Sequence, residues 1–172
     1  MRLFLRPITE DDGALIVKWR NSDKVRRQCM TKALITEESN NRFFKENVLS
    51  GRYKQYIVER IEEETGLVTY PIATVYLKDV DNENKCCELC VFTSSDVEWV
   101  AEGQTMAIKM LLEKAFNEFG MHKVYSRVFY NEGIEILKKA GFQLEAVLKS
   151  EVLVDGVFRD VYRMSVFNVE ET

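Results

Sequence analysis

The chain has 172 residues, with 24 Lys and Arg against 28 Asp and Glu, for a formal charge of −4. That balance leaves no basic footprint for a nucleic-acid partner. A hydrophobic fraction of 46% and a charged fraction of 30% describe a folded globular protein rather than a disordered one. The length fits a single domain spanning 1–172. The apolar run in Met1-Arg2-Leu3-Phe4-Leu5-Arg6-Pro7 is too short for a signal peptide, and no later run reaches a membrane span. A cytoplasmic protein without membrane contact is expected.

In chain order, residues 2–6 form a short strand. Thr9 then caps a first helix, where Glu10, Asp11 and Asp12 suit the positive end of the helix dipole. Leu15, Ile16 and Trp19 give that helix its apolar stripe, and Asn21-Ser22-Asp23 ends it. Lys24, Arg26 and Arg27 read as a solvated turn. Thr36-Glu37-Glu38 opens a second helix with Phe43, Phe44, Val48 and Leu49 on its buried face, closed by Ser50-Gly51.

Strands over 53–62, 70–80 and 85–93 follow as an antiparallel meander, with turns at Thr65-Gly66 and at Asp81-Asn82-Glu83-Asn84. A long helix over 104–119 carries Ile108, Leu111, Leu112, Ala115, Phe116 and Phe119 at helical spacing, with Gly120 as its stop. A strand over 123–129 and a short helix over 132–140 come next, the helix stopped by Gly141. Two long strands, 142–151 and 157–167, meet around Asp155-Gly156, a strong hairpin signal. The order β-α-α-β-β-β-α-β-α-β-β describes an α/β (α+β) fold. Its central sheet is mixed but mostly antiparallel, because the long helix makes a crossover.

Cys87 and Cys90 form a C-x-x-C within the strand over 85–93. Residues three apart on a strand point to opposite faces, so the pair diverges. No second such pair and no nearby histidine completes a zinc set, and His122, the single histidine, reads as a turn residue. Structural cysteines and no metal site are expected.

The ordered set is more informative than any one motif. It comprises Leu5-Arg6-Pro7-Ile8-Thr9-Glu10-Asp11-Asp12 with Trp19-Arg20-Asn21, Glu88-Leu89, the loop into the long helix, Asn131-Glu132 and Lys139-Ala140-Gly141-Phe142. Together these resemble the GNAT superfamily of N-acetyltransferases over nearly the whole chain. The ending from Glu145 to Met164 is similar to the branch that acetylates ribosomal-protein N-termini, polyamines and nucleotide-linked amino sugars. The resemblance implies the acyl-CoA N-acyltransferase fold, acetyl-CoA as cosubstrate and direct transfer to a primary amine. The acceptor would be a small-molecule amine or a protein N-terminus, and exposed β-edges fit a homodimer.

It also implies a site. The cofactor's diphosphate would meet backbone amides at Val100, Ala101, Glu102, Gly103, Gln104 and Thr105. Glycines there let a phosphate approach without a Cβ in the way, yet only Gly103 remains and Glu102 brings negative charge. Pantetheine would run beside Val91, Phe92 and Thr93, with the Val91 N–H as oxyanion donor. Glu88 is the candidate base, or an acid hydrogen-bonded to a neighbouring strand. Asn131 would help fix the cofactor, or cap the short helix. Leu137 stands where the family commonly places a tyrosine that protonates the leaving thiolate; Tyr130, a strand-end aromatic otherwise, is the available substitute. Trp19, Arg20, Asn21 and Arg26 border the acceptor, although Trp19 also reads as core. Leu137 and the glycine-poor loop leave an alternative: a degenerate family member that binds acyl-CoA or a partner without catalysis.

Overall fold

Strand alternation and two helix-capping signals set most of the architecture. The computed structural model describes residues 1–64, 68–96 and 99–169, so the turn expected at Thr65-Gly66 lies outside the described residues. Strand β1 (Arg2–Pro7) leads through a 3-10 turn (Glu10–Asp12) into α1 (Gly13–Asn21), a one-turn α2 (Asp23–Arg26) and α3 (Glu37–Phe43), which continues as a π-helical turn (Phe44–Val48). Strands β2 (Lys54–Ile61), β3 (Thr69–Asp81) and β4 (Cys86–Thr93) follow. Helix α4 (Ala101–Glu113), extended by a second π-helical turn (Lys114–Glu118), crosses over to β5 (Lys123–Val128). Helix α5 (Asn131–Lys139) and the hairpin β6 (Gln143–Val154) and β7 (Val157–Phe167) complete the chain.

The seven strands form one sheet in the order β1-β2-β3-β4-β5-β7-β6. Every neighbouring pair is antiparallel except β4 with β5, so the mixed, mostly antiparallel sheet expected from sequence is present. The β6–β7 turn is two residues long, with φ of +50° at Asp155 and +77° at Gly156. Both central residues of a type I′ turn need that left-handed backbone. Thr9 caps the 3-10 turn that leads into α1, with Asp12 Oδ2 accepting the Thr9 N–H at 2.8 Å, and Asp12 holds the cap position of α1 itself. Thr36 Oγ1 accepts from the Ser39 N–H at 3.1 Å while Ser39 Oγ accepts from the Thr36 N–H at 2.9 Å, a reciprocal cap.

Three sequence expectations shift. Leu49, assigned to the buried face of α3, is 68% exposed, because the π-helical turn at Phe44–Val48 breaks the 3.6-residue period just before it. Lys24 and Arg26 are helical rather than in a turn, since Ser22 Oγ accepts from the Val25 N–H and restarts the helix, while Arg27 lies in the turn that ends it. Helix α4 begins at Ala101, so most of the anticipated phosphate loop is its first turn.

The sheet's two faces differ in kind. Val75, Leu77, Cys87, Leu89 and Val124 pack with Ala107, Ile108 and Leu111 of α4 and Ile136 of α5 into the main core. On the opposite face Ile16 and Trp19 of α1 pack with Ile57 and Phe92. The divergence expected of Cys87 and Cys90 follows: Cys87 is in the core and Cys90 lines a cleft on the other side.

Candidate active site

The central strands β4 and β5 are joined over a short length. Their register pairs Cys86 with Lys123, Cys87 with Val124 and Glu88 with Tyr125, whereas β4 stays paired with β3 as far as Thr93. Past Glu88 the two strands part. The Lys85 carbonyl accepts from Lys123 N–H of β5 at 3.1 Å, and Ser94 N–H donates to the Ile72 carbonyl of β3 at 2.8 Å. Backbone groups of successive strand residues address alternate neighbours, so the odd-numbered residues of β4 turn toward β5. The Val91 N–H therefore faces the gap.

A cleft of about 190 Å³ runs through this gap, with Val91, Phe92, Ser126, Tyr130, Gly133 and Leu137 in its wall. On the α1 side it meets a second cavity of about 390 Å³; Arg20, Thr31, Tyr76, Lys78 and Phe92 line both. The opening thus connects the α4–α5 face of the sheet with the α1 face.

Glu88 lies at the apex of the gap, 3% exposed. Arg127 grips it with two bonds, Nε to Oε1 and Nη2 to Oε2, each 3.0 Å, and Lys78 Nζ lies 3.2 Å from Oε2. Burial works against the Lys78 ammonium, yet the Glu88 carboxylate beside it holds it above its usual range. The hydrogen bond to Glu88 likewise raises Arg127. Burial pushes the Cys90 thiol up to about 12, with Glu88 adding to the effect, so it is a neutral thiol and not a nucleophile at neutral pH. Tyr76 stacks on Tyr53 at 5.8 Å and meets Phe92 edge-on at 6.3 Å.

Tyr130 enters the cleft because of a glycine. A Cβ on Gly133 would fall 2.5 Å from Val128 Cγ2 and 2.7 Å from Tyr130 Cε2, so the bare first turn of α5 lets the ring lie against it. Burial pushes the Tyr130 hydroxyl up to about 12, which keeps its proton in place at neutral pH.

The profile of the Acetyltransferase (GNAT) domain family matches residues 2–143. The chain belongs to the GNAT acetyltransferase family. Members of this family use acetyl-CoA as the acetyl donor. The chain is 23% identical to spermidine N(1)-acetyltransferase of Escherichia coli (strain K12) over 166 residues, 95% of this chain and 84% of that protein. Its fold matches the spermidine N-acetyltransferase of Vibrio cholerae in complex with CoA and spermine, with a TM-score of 0.87, 17% identity, and coverage of 96% of this chain and 95% of that one. A dodecameric structure of the Vibrio cholerae enzyme in an intermediate state matches with a TM-score of 0.80 at 17% identity, over 98% and 95% of the two chains.

Within this GNAT fold, Glu88, Val91, Phe92, Tyr130, Leu137 and Arg20 converge on the joined cavities. Thr93 is buried beside Ala73 of β3. Leu137, 4% exposed, supplies apolar wall where a proton donor was sought. Val100 ends the approach to α4 without offering a side-chain cap, so no side chain of Val100 meets the amides of Ala101, Glu102 and Gly103. That is the part of an anion site that survives the missing glycines. Gly103 itself is buried, and its Cβ position is 2.9 Å from Met1 Sδ, so Met1 packing accounts for this glycine. Glu102 is exposed, Gln104 is half-buried, and Thr105 Oγ1 donates to the Ala101 carbonyl at 2.9 Å.

Other expected site residues serve the scaffold. Trp19, 1% exposed, is core, because its indole fills the space between α1 and the sheet. The Asn21 side chain both donates to and accepts from the Ile35 backbone, at 2.8 and 2.9 Å, and so ties down the chain before α3. Arg26 Nε donates to the Lys32 carbonyl at 3.1 Å and lies on an outer cavity with Arg27 and Lys32. Asn131 is exposed and is the first residue of α5; Tyr130 holds the cap position, so the N-cap reading of Asn131 fails. Lys78, Arg127, Tyr76 and Gly133 were not anticipated. One signal for Lys78 existed: in residues 72–80 it is the charged residue on the same alternating face as Thr74 and Tyr76.

Proposed function

We propose that this chain is a cytoplasmic enzyme that transfers an acetyl group from acetyl-CoA directly to a primary amine. The observation that carries the reading is the gap beyond Glu88 and Tyr125, through which one cleft joins both faces of the sheet. When bound, acetyl-CoA supplies an activated acetyl thioester. The uncapped start of α4 would hold its diphosphate, and the backbone edge of β4 at Val91, Phe92 and Thr93 its pantetheine arm. Val91 N–H, which faces the gap, would be the preorganised donor for a bound thioester's oxygen as it gains charge. Tyr130, in the wall of the cleft, would be the candidate donor of a hydrogen bond or proton to the leaving sulfur.

Transfer also needs a neutral amine. Glu88 already accepts from Arg127 and Lys78, which fits a role in positioning those two cations better than direct proton removal. The cations themselves assist: like charges nearby disfavour an ammonium and favour the free amine. Acceptors suggested by resemblance and by the named relatives are amino sugars, polyamines and protein N-termini. The fold's relation to a dodecameric relative supports self-association of this chain, with a homodimer as its smallest form.

The direct test is calorimetry with acetyl-CoA, followed by thiol release with a panel of amines. Binding heat and amine-dependent thiol release are the expected results. Absence of both, at millimolar acetyl-CoA, ends the transferase reading. Binding without release from any amine favours the second reading, a non-catalytic acyl-CoA binder, for which the apolar Leu137 in the cleft wall is the supporting observation.

A further inference from the structure

We propose that the acceptor amine carries an anionic group, a phosphate or a carboxylate, recognised by Arg20 in a cleft whose field is set by Lys78 and Arg127. The proposal rests on the transferase reading for the identity of the ligand as an acceptor. Its electrostatics stand independently.

The first observation is a charge imbalance. Among the described residues, the two joined cavities are lined by three cations, Arg20, Lys78 and Arg127, and by one carboxylate, Glu88. The α1-side cavity has Arg20 and Lys78 and no acid in its wall. Glu88 is shared between Lys78 and Arg127, and Lys78 has a more distant second partner in Asp79 Oδ2 at 4.0 Å. The imbalance runs against the chain as a whole, whose formal charge is −4.

The second observation is an unfinished guanidinium. Arg20 Nη2 donates to the Thr31 carbonyl at 2.6 Å, but Nη1 is buried without a hydrogen-bond partner. A buried donor left unmade is costly, and a guanidinium fork matches a two-oxygen anion. Arg20 stands in the wall of both cavities, and a turn of its guanidinium toward an anion arriving with the amine would supply the partner that Nη1 lacks.

Two competing explanations are weaker. The cations are not needed for the donor's diphosphate. The start of α4 belongs to the opposite face of the sheet, since α4 packs on Cys87 and Leu89 while Phe92 of the same strand packs with α1. A polyamine is a poor occupant, because several ammonium groups would meet three cations and one already-paired carboxylate, and like-charge contacts are strongly unfavourable in a recess.

The test compares amines that differ only in their anionic group. Ethanolamine, β-alanine and phosphoethanolamine form one series, glucosamine and glucosamine 6-phosphate another, with spermidine as the polycation. Each is measured by calorimetry with CoA present and, separately, by thiol release with acetyl-CoA. The anionic member of a series should bind at least about tenfold tighter than the neutral one, an advantage that shrinks as salt rises. The two anions tell carboxylate from phosphate. Arg20→Gln should collapse the preference ratio toward one, and Arg20→Lys, which keeps charge without the fork, should restore part of it. The salt dependence of the unaltered protein is decisive even where a variant fails to fold. Equal binding of neutral and anionic members, or tightest binding of spermidine, overturns the proposal. Anionic preference in binding with no thiol release upholds it while ending the transferase reading. Release with spermidine alone does the reverse.

Discussion

Under α4 and α5 the central strands present Val75, Leu77, Cys87 and Leu89, each 1% exposed or less; under α1 the same strands present Thr74, Tyr76, Lys78, Glu88 and Cys90. One face is held by close packing of side chains that need no particular partner. The other is held by hydrogen bonds and charges that each need one. Apolar packing tolerates exchange of similar shapes, whereas a buried polar group becomes a liability when its partner goes. The fold therefore keeps its closest apolar packing on one face and most of its buried charges on the other, with the cleft reaching both.

Three changes probe that separation. Tyr130→Phe is expected to have the largest effect, a fall in kcat of about 10²–10⁴ if its hydroxyl protonates the leaving group, with the urea midpoint unchanged. A loss below about tenfold removes Tyr130 from the chemistry. Leu111→Ala, at a position 0% exposed on the packed face, should cost about 2–5 kcal/mol of unfolding free energy in urea titration. Its activity per folded molecule should stay near normal; a large loss of kcat would show that the faces are coupled.

The smallest effect concerns Asp12, at the start of the α1 side. Burial alone would raise its carboxyl. Hydrogen bonds from Arg6, at 2.7 and 2.8 Å, and from the Thr9 N–H outweigh that and hold it below the usual 3.8. A carboxylate depressed in the folded state stabilises the protein above its unfolded value, and that contribution is lost as pH falls through the folded one. Asp12→Asn should thus cost roughly 1–2 kcal/mol at neutral pH. The difference should shrink as pH drops below 3.8, read from urea midpoints at both pH values.

What was legible in the sequence was local. The helix stripes apart from Leu49, the cap at Thr9, the helix start at Thr36 and the Asp155-Gly156 turn are set by residues within a few positions of one another and are found in the structure. The position of Glu88 could be read, but its partners could not. Lys78 and Arg127 reach it through the register of three strands, and Arg127 is 39 residues away along the chain. Gly133 carried no obvious meaning until Tyr130 was seen lying on it. Trp19 and Arg20, adjacent in sequence, divide between core and cleft, because neighbouring helix positions point in different directions.

The short ladder between β4 and β5 has a mechanical side. It divides the sheet into two leaves, β1 to β4 and β5 to β7, bound along a spine of three register positions. A guest that paired with the strands where the leaves part would take the place of the missing stitches. Any motion that spreads the leaves must then also release the guest, and occupancy stiffens the spine by mass action. How tightly a guest binds and how far the sheet resists opening would then share one coupling free energy.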